Sequence, residues 1–145
     1  MDEQLAYLAG FLDGEGSIAV GLNRNPNGDR RWYLRISCHQ LDPRPLRMLA
    51  QRFGGSVRRH GYEARRHRQI YEWAVNSRQA YEALCALRPY LVVKAEEADA
   101  GIEFQTLLAS RSVSRRVPLS EAEQDARQAL YEKLRLLKQR NYDET

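Results

Sequence analysis

Two carboxylates, Asp13 and Glu15, stand on either side of Gly14 and are followed by Gly16, directly after Leu5, Leu8, Phe11 and Leu12 recur at helical spacing. The last carbonyl groups of such a helix lack intrahelical donors and carry the negative end of its macrodipole, and Glu15 adds a full charge at that point. Two helix ends of this kind side by side would collect hard divalent cations on oxygen ligands. Taken alone, the Gly-acid-Gly string also fits an ordinary helix stop and turn, which needs no ion. On the same helix Ala6, Gly10 and Gly14 fall at i, i+4 and i+8, so two copies could approach almost backbone to backbone along that face.

A second group of residues suits phosphate chemistry. Between Ser56 and Arg68 five arginines (Arg58, Arg59, Arg65, Arg66, Arg68) face one acid, Glu63, a surplus equal to the +4 net charge of the whole chain. Elsewhere the charge is locally acidic, in Asp2, Glu3, Asp13 and Glu15 and again in Glu96, Glu97, Asp99 and Glu103. Positive charge concentrated in one segment is the footprint of a nucleic-acid surface. Arginine's planar fork suits phosphates and guanine edges. A GC-rich codon bias explains the excess of arginine over lysine but not its clustering. No Ser-His-Asp, Walker or zinc spacing competes, since His39, His60 and His67 fall on strand faces or a hairpin tip.

The elements that must position these residues follow from periodicity. A helix over 4–13 leads into a strand over 17–23, with Ile18, Val20 and Leu22 on one face. The turn Asn25-Pro26-Asn27-Gly28-Asp29 returns the chain as a strand over about 31–39, with Trp32, Leu34, Ile36 and Cys38 inward and Tyr33, Arg35, Ser37 and His39 outward. A helix through Leu46, Leu49 and Phe53 stops at Gly54-Gly55, and the arginine-rich hairpin spans 56–75 with its tip at 64–67. Ser77 is placed to cap a third helix that Pro89 ends, a fourth covers 95–109, and Ser120-Glu121-Ala122-Glu123 is a capping box for a last one. The order is αββαββα plus terminal helices, an α+β chain. With 145 residues, 43% apolar and 29% charged, it fits one soluble domain rather than a disordered, disulfide-stapled or multidomain protein. No apolar run reaches membrane-spanning length, and neither a signal-like N-terminus nor a ligand-like Cys38/Cys85 spacing occurs. The expectation is an intracellular protein, cytoplasmic or organellar and not secreted.

The string Leu8-Ala9-Gly10-Phe11-Leu12-Asp13-Gly14-Glu15-Gly16 resembles the motif that names the LAGLIDADG homing endonucleases. The hairpin, Phe53-Gly54-Gly55, the second hairpin and Pro89-Tyr90-Leu91-Val92-Val93-Lys94 extend the likeness over about residues 4–109. Only one motif copy is present, and single-motif chains of that family act as homodimers. The resemblance implies a four-stranded antiparallel sheet shaped as half of a saddle within a core over 1–110; it does not reach residues 111–145, where the residues themselves give a linker over 111–119 and a C-terminal helix over 120–145 expected to pack on the core. It also implies site-specific cleavage of both strands of a long, partly palindromic duplex, leaving short 3′ overhangs. By motif position Glu15 takes the metal-binding place, with the Gly14 carbonyl beside it and Mg²⁺ as cofactor, Mn²⁺ as its substitute. Asp13 matches the earlier acid, a hydrogen-bonding group at the helix end within the dimer seam of Ala6, Gly10, Asp13 and Gly14. Gln40 and Arg44 correspond to polar residues near the water network, and Lys94 to the basic residue near the scissile phosphate. On the sheet, Ala19, Gly21, Asn23, Arg35, Ser37, His39, Arg58 and His60 would read bases. Arg24, Arg30, Arg65, Arg66 and Arg68 would mostly hold phosphates, and Gln69 is the candidate on the fourth strand. A regulator that binds without cutting and an RNA-binding intron maturase are the alternative readings.

Overall fold

The computed structural model describes residues 1–26, 28, 30–114 and 116–140. Asn27 and Asp29 of the expected turn, and the last five residues of the expected C-terminal helix, lie outside them. The chain runs α1 (Glu3–Glu15), β1 (Gly16–Arg24), β2 (Arg30–Gln40), α2 (Arg44–Phe53), β3 (Val57–Glu63), β4 (Arg68–Asn76), α3 (Ser77–Leu87), a 3₁₀ turn (Arg88–Tyr90), α4 (Ala95–Ala109) and α5 (Glu121–Gln139). This is the expected αββαββα order, an α+β fold built on a four-stranded antiparallel sheet.

Asp2 caps α1 by accepting the Leu5 N–H at 3.1 Å, and Leu5, Leu8, Ala9 and Leu12 bury one stripe of the helix. The helix passes through Gly14 and Glu15 before Gly16 closes it, donating its N–H to the Leu12 carbonyl, two residues beyond the expected end at Asp13. Gly16 is at once the cap of α1 and the first residue of β1, so helix and strand join with no loop. A Cβ on Gly16 would run into the Leu12 side chain.

The sheet order is β1-β2-β4-β3. Its inner face carries Ile18, Val20, Trp32, Leu34, Ile36, Cys38, Trp73 and Val75, which join Leu46 and Leu49 of α2, Ala80, Ala83, Leu84 and Leu87 of α3, and Phe104 of α4 in one core. The helices that contribute to this core lie on that side, so among the described residues no helix packs over the centre of the other face. Gly54 and Gly55 have φ of 86° and 81°, the left-handed region that stops α2 and lets the Gly54 carbonyl accept the Trp73 indole N–H at 2.9 Å. The expected capping of α3 by Ser77 does not occur. Asn76 holds the cap position, and Ser77 adopts φ 54° as the chain turns sharply from β4 into the helix.

The capping box of α5 is complete, with Ser120 accepting from Glu123 N–H and Glu123 accepting from Ser120 N–H, both at 3.1 Å. Leu134 of α5 is buried, and Lys138 Nζ donates to Ser17 Oγ of β1 at 2.9 Å. Arg111 braces the connection before α5, meeting Glu123 Oε2 at 2.6 Å and donating to the Ser114, Val117 and Pro118 carbonyls. Among the described residues no helix is long and apolar enough to cross a membrane.

Candidate active site and nucleic-acid interface

The C-terminal end of α1 separates its two carboxylates into different environments. Asp13 turns inward along the helix end, and its two carboxylate oxygens accept the backbone N–H groups of Val92 and Lys94, each at 2.9 Å. Lys94 answers by donating Nζ to the Asp13 carbonyl at 2.6 Å. An ammonium on a helix-end carbonyl complements the macrodipole, so the pair clasps the end of α1 to the start of α4. Glu15 is exposed and has no hydrogen-bond or ion-pair partner among the described residues. Ala6, Gly10 and Gly14 leave the outer side of α1 bare, and a Cβ built on either glycine meets nothing within 4 Å.

Gly16 pairs with Cys38 of β2, directly beneath this helix end. Burial pushes the Cys38 thiol up to about 12; the Lys94 charge pulls it down and the Glu15 charge raises it further. Both charged groups therefore sit around the same buried thiol, which stays protonated and inert. Gln40 is two residues further along the same side of β2, about 7 Å on by strand rise, and its Oε1 accepts the Leu41 N–H at 2.8 Å. Arg44 is exposed and grips Asp42 with two parallel bonds, Nε to Oδ1 at 3.0 Å and Nη2 to Oδ2 at 2.6 Å. Those bonds hold the Asp42 carboxyl down at about 2 and raise the Arg44 guanidinium. Within one chain, Glu15 and Lys94 share the helix end, while Gln40 and Arg44 are engaged by their own neighbours.

The uncovered face of the sheet presents Ala19, Gly21 and Asn23 of β1 opposite Arg35, Tyr33 and Arg31 of β2, with Ser37 and His39 continuing the row. Gly21 offers no side chain to this face. A Cβ there would collide with the Tyr33 ring, so the glycine is the seat on which Tyr33 lies. Arg24 and Arg30 pair at the turn end of the first hairpin, and Arg65, Arg66 and Arg68 crowd the exposed tip of the second. Gln69 shares the side of Tyr71 and Trp73 by strand alternation. Its amide donates to the Gly61 carbonyl at 2.6 Å and the Ile70 carbonyl at 2.8 Å, which makes it a clasp within the hairpin rather than a group on the outer face.

Glu72 organises the centre of that face. Its side chain is only 8% exposed although it lies on the uncovered side, because four basic residues cover it. His39 Nε2 lies 2.8 Å from Oε2 and Arg58 Nη2 donates to Oε1 at 3.0 Å, while Arg35 and His60 each stand 3.6 Å from Oε2. Burial pushes the Glu72 carboxyl up, but the bonds from His39 and Arg58 and the charges of His39 and Arg35 together hold it below the usual range. The register of β3 against β4 shifts between Arg59 and Gly61, so His60 is the extra residue of a β-bulge. Arg31, Tyr33 and Glu72 were not among the residues singled out from the sequence. Tyr33 was visible as an outward residue, whereas the importance of Glu72 depends on partners from two other strands.

A helix ending in an unpaired carboxylate, a paired helix-end acid and lysine, and a bare basic sheet face together define the frame of a LAGLIDADG protein. The model of the LAGLIDADG endonuclease family matches residues 8–91, and the chain belongs to that family. No curated protein matches it. Among solved structures it is similar to the homing endonuclease I-CvuI in complex with the I-CreI target in the presence of Mg, with the DNA not cleaved. That likeness has a TM-score of 0.77 and 19% identity, over 99% of this chain and 85% of that one. The archaeal intron-encoded homing endonuclease I-Vdi141I, complexed with DNA, gives a TM-score of 0.76 at 16% identity, over 99% and 89% of the two chains. The homing endonuclease I-TnaI gives 0.64 at 19% identity, over 96% and 98%. At these identities the likeness is one of fold.

Proposed function

We propose that this chain is a homodimeric, site-specific endonuclease that cuts both strands of a long, partly palindromic DNA duplex with the help of a divalent cation. The observation that carries the reading is the position of Glu15, the last residue of the motif helix, exposed and unpaired beside a bare glycine. The carboxylate of Glu15 and the backbone carbonyl of Gly14 are hard oxygen donors, the donor set that suits Mg²⁺ and its substitute Mn²⁺. A divalent cation bound there supplies activation of water and neutralisation of charge at the scissile phosphate.

The chain's own residues do the rest. Lys94, fixed on the Asp13 carbonyl, keeps a positive charge beside the phosphate path, while Gln40 and Arg44 orient solvent around it. Ala6, Gly10 and Gly14 let two α1 helices meet, with Asp13 at the edge of the seam. One Glu15 then comes to each DNA strand, which is why a chain with a single motif copy needs a second copy of itself. Asn23, Arg35, Ser37 and Arg58, with Ala19 as an apolar contact, face the bases, while His39 and His60 stand over Glu72 at the centre of that face and Tyr33 occupies the space over Gly21. Arg24, Arg30, Arg65, Arg66 and Arg68 hold phosphates and set the register. I-CvuI and I-Vdi141I, which share this fold, are complexed with DNA in their own structures, which supports a DNA duplex as the partner.

The test is incubation with a randomised duplex library and Mg²⁺, followed by sequencing of the cut ends. One partly palindromic motif cut on both strands is the expected result. Selective retention of one duplex without any cut strand would support a regulator, and capture of structured RNA in preference to duplex would support a maturase.

A further inference from the structure

The cluster at the centre of the outer sheet face has the composition of a second metal site, chemically distinct from the helix end. His39 of β2, His60 of β3 and Glu72 of β4 bring one ligand atom each to within 4.8 Å of one another. The Glu72 Oε2 oxygen is the common point, 2.8 Å from His39 Nε2 and 3.6 Å from His60 Nδ1. The two imidazole rings stand with centroids 4.2 Å apart, tilted by 50°. Ligands about 2.0 to 2.1 Å from a tetrahedral zinc ion are separated from each other by about 3.3 Å, so small side-chain rotations close this triangle on one ion.

We propose that His39, His60 and Glu72 bind a borderline transition-metal ion of the Zn²⁺ class on the uncovered face of the sheet, with a fourth coordination position open to solvent. Two neutral imidazoles and one carboxylate are the donor set of open zinc sites, whereas Mg²⁺ prefers oxygen alone. The surroundings support the ligands as well as the ion. Arg58 holds the other oxygen, Oε1, and so orients the carboxylate, the usual arrangement around a metal-binding acid. Among the described residues Arg35 is the guanidinium directed at Oε2, at 3.6 Å, and it has a separate anchor in Asn76 Oδ1 at 3.3 Å to which it can withdraw. His60 is the extra residue of the β3 bulge, and its ring meets the residues of the other two strands there. The three ligands come from three strands, so no local spacing in the sequence shows them together.

Titration of the metal-free full chain with Co²⁺, followed by displacement with Zn²⁺, tests the site. One ion per protomer with the intense visible bands of tetrahedral cobalt is expected, and Zn²⁺ should erase them. His60→Ala changes an exposed side chain, leaves the core intact and should abolish the bands without changing the metal-free melting curve. Glu72→Gln should weaken Zn²⁺ at least about tenfold. Glu15→Gln should leave the bands in place. No saturable Zn²⁺ binding below about 100 µM in the wild type would overturn the site. So would bands that persist in His60→Ala, or bands that vanish in Glu15→Gln.

Discussion

Replacing Asp13 with alanine removes both acceptors that hold the start of α4, without touching the proposed metal-binding group. Hydrogen bonds to a charged group contribute about 1.5 to 3 kcal/mol each. The bond to Val92 N–H is exposed and the bond to Lys94 N–H part-buried, so about 1 kcal/mol for the first and about 2 for the second are reasonable values. Alanine returns about 0.5 kcal/mol in helix propensity, for a net loss of about 2.5 kcal/mol. At about 3 °C per kcal/mol for a domain of this size, Asp13→Ala should melt about 8 °C below wild type in a thermal scan followed by circular dichroism. Asp13→Asn keeps one acceptor oxygen and should lose about half as much. Mn²⁺ bound to the helix end, followed by electron paramagnetic resonance below the melting range, should persist in both variants. A melting temperature within about 2 °C of wild type would refute the clasp. Loss of Mn²⁺ from a folded Asp13→Asn protein would make Asp13 a ligand instead.

Gly10→Leu should leave the folded protomer intact, since a Cβ there meets open space, yet obstruct a close helix seam. Overpacking costs about 1 to 3 kcal/mol, and sedimentation should show monomer; an unaltered dimer would place the seam elsewhere. Replacing Arg65 and Arg66 together with alanine should weaken specific and nonspecific duplexes alike and lower the log-log salt slope by about 0.9 for each lost phosphate contact. Loss confined to one base pair at an unchanged slope would reassign them to base reading. Because folding holds the Glu72 carboxyl below its ordinary value of 4.5, that group adds stability above pH 4.5 that is lost as the pH falls through its lower folded value. Urea midpoints measured from pH 6 to pH 3 should therefore fall less steeply in Glu72→Gln than in wild type, and parallel curves would contradict the network around Glu72.

Much of the frame was legible because it is written in local periods. The stripe of Leu5, Leu8 and Leu12, the alternation of Trp32, Leu34, Ile36 and Cys38, the stop at Pro89 and the Ser120 capping box each act within a few residues and appear where expected. What was not legible depends on contacts between strands distant in the sequence. Glu72 reads as an ordinary exposed acid until His39, Arg35, Arg58 and His60 close over it. Gly21 reads as an outward position until Tyr33 proves to fill its space. Gln69 alternates with its neighbours in the sequence, but the bulge at His60 presents it with the Gly61 carbonyl. The divergence of Asp13 and Glu15 is equally non-local, since Val92 and Lys94 select one acid and leave the other free for an ion.

The role of Glu15 is tested most directly by comparing wild type and Glu15→Gln on the duplex recovered from the library, measuring nicking and binding on the same preparation with Mg²⁺ and with Mn²⁺. The substitution keeps size and hydrogen-bonding capacity and removes only the charge at the end of α1. Cleavage of both strands should fall by orders of magnitude while affinity for the duplex changes little, because the sheet face is untouched. Full cleavage by Glu15→Gln would contradict the account, as would a wild-type protein that binds one duplex tightly and never nicks it with either metal.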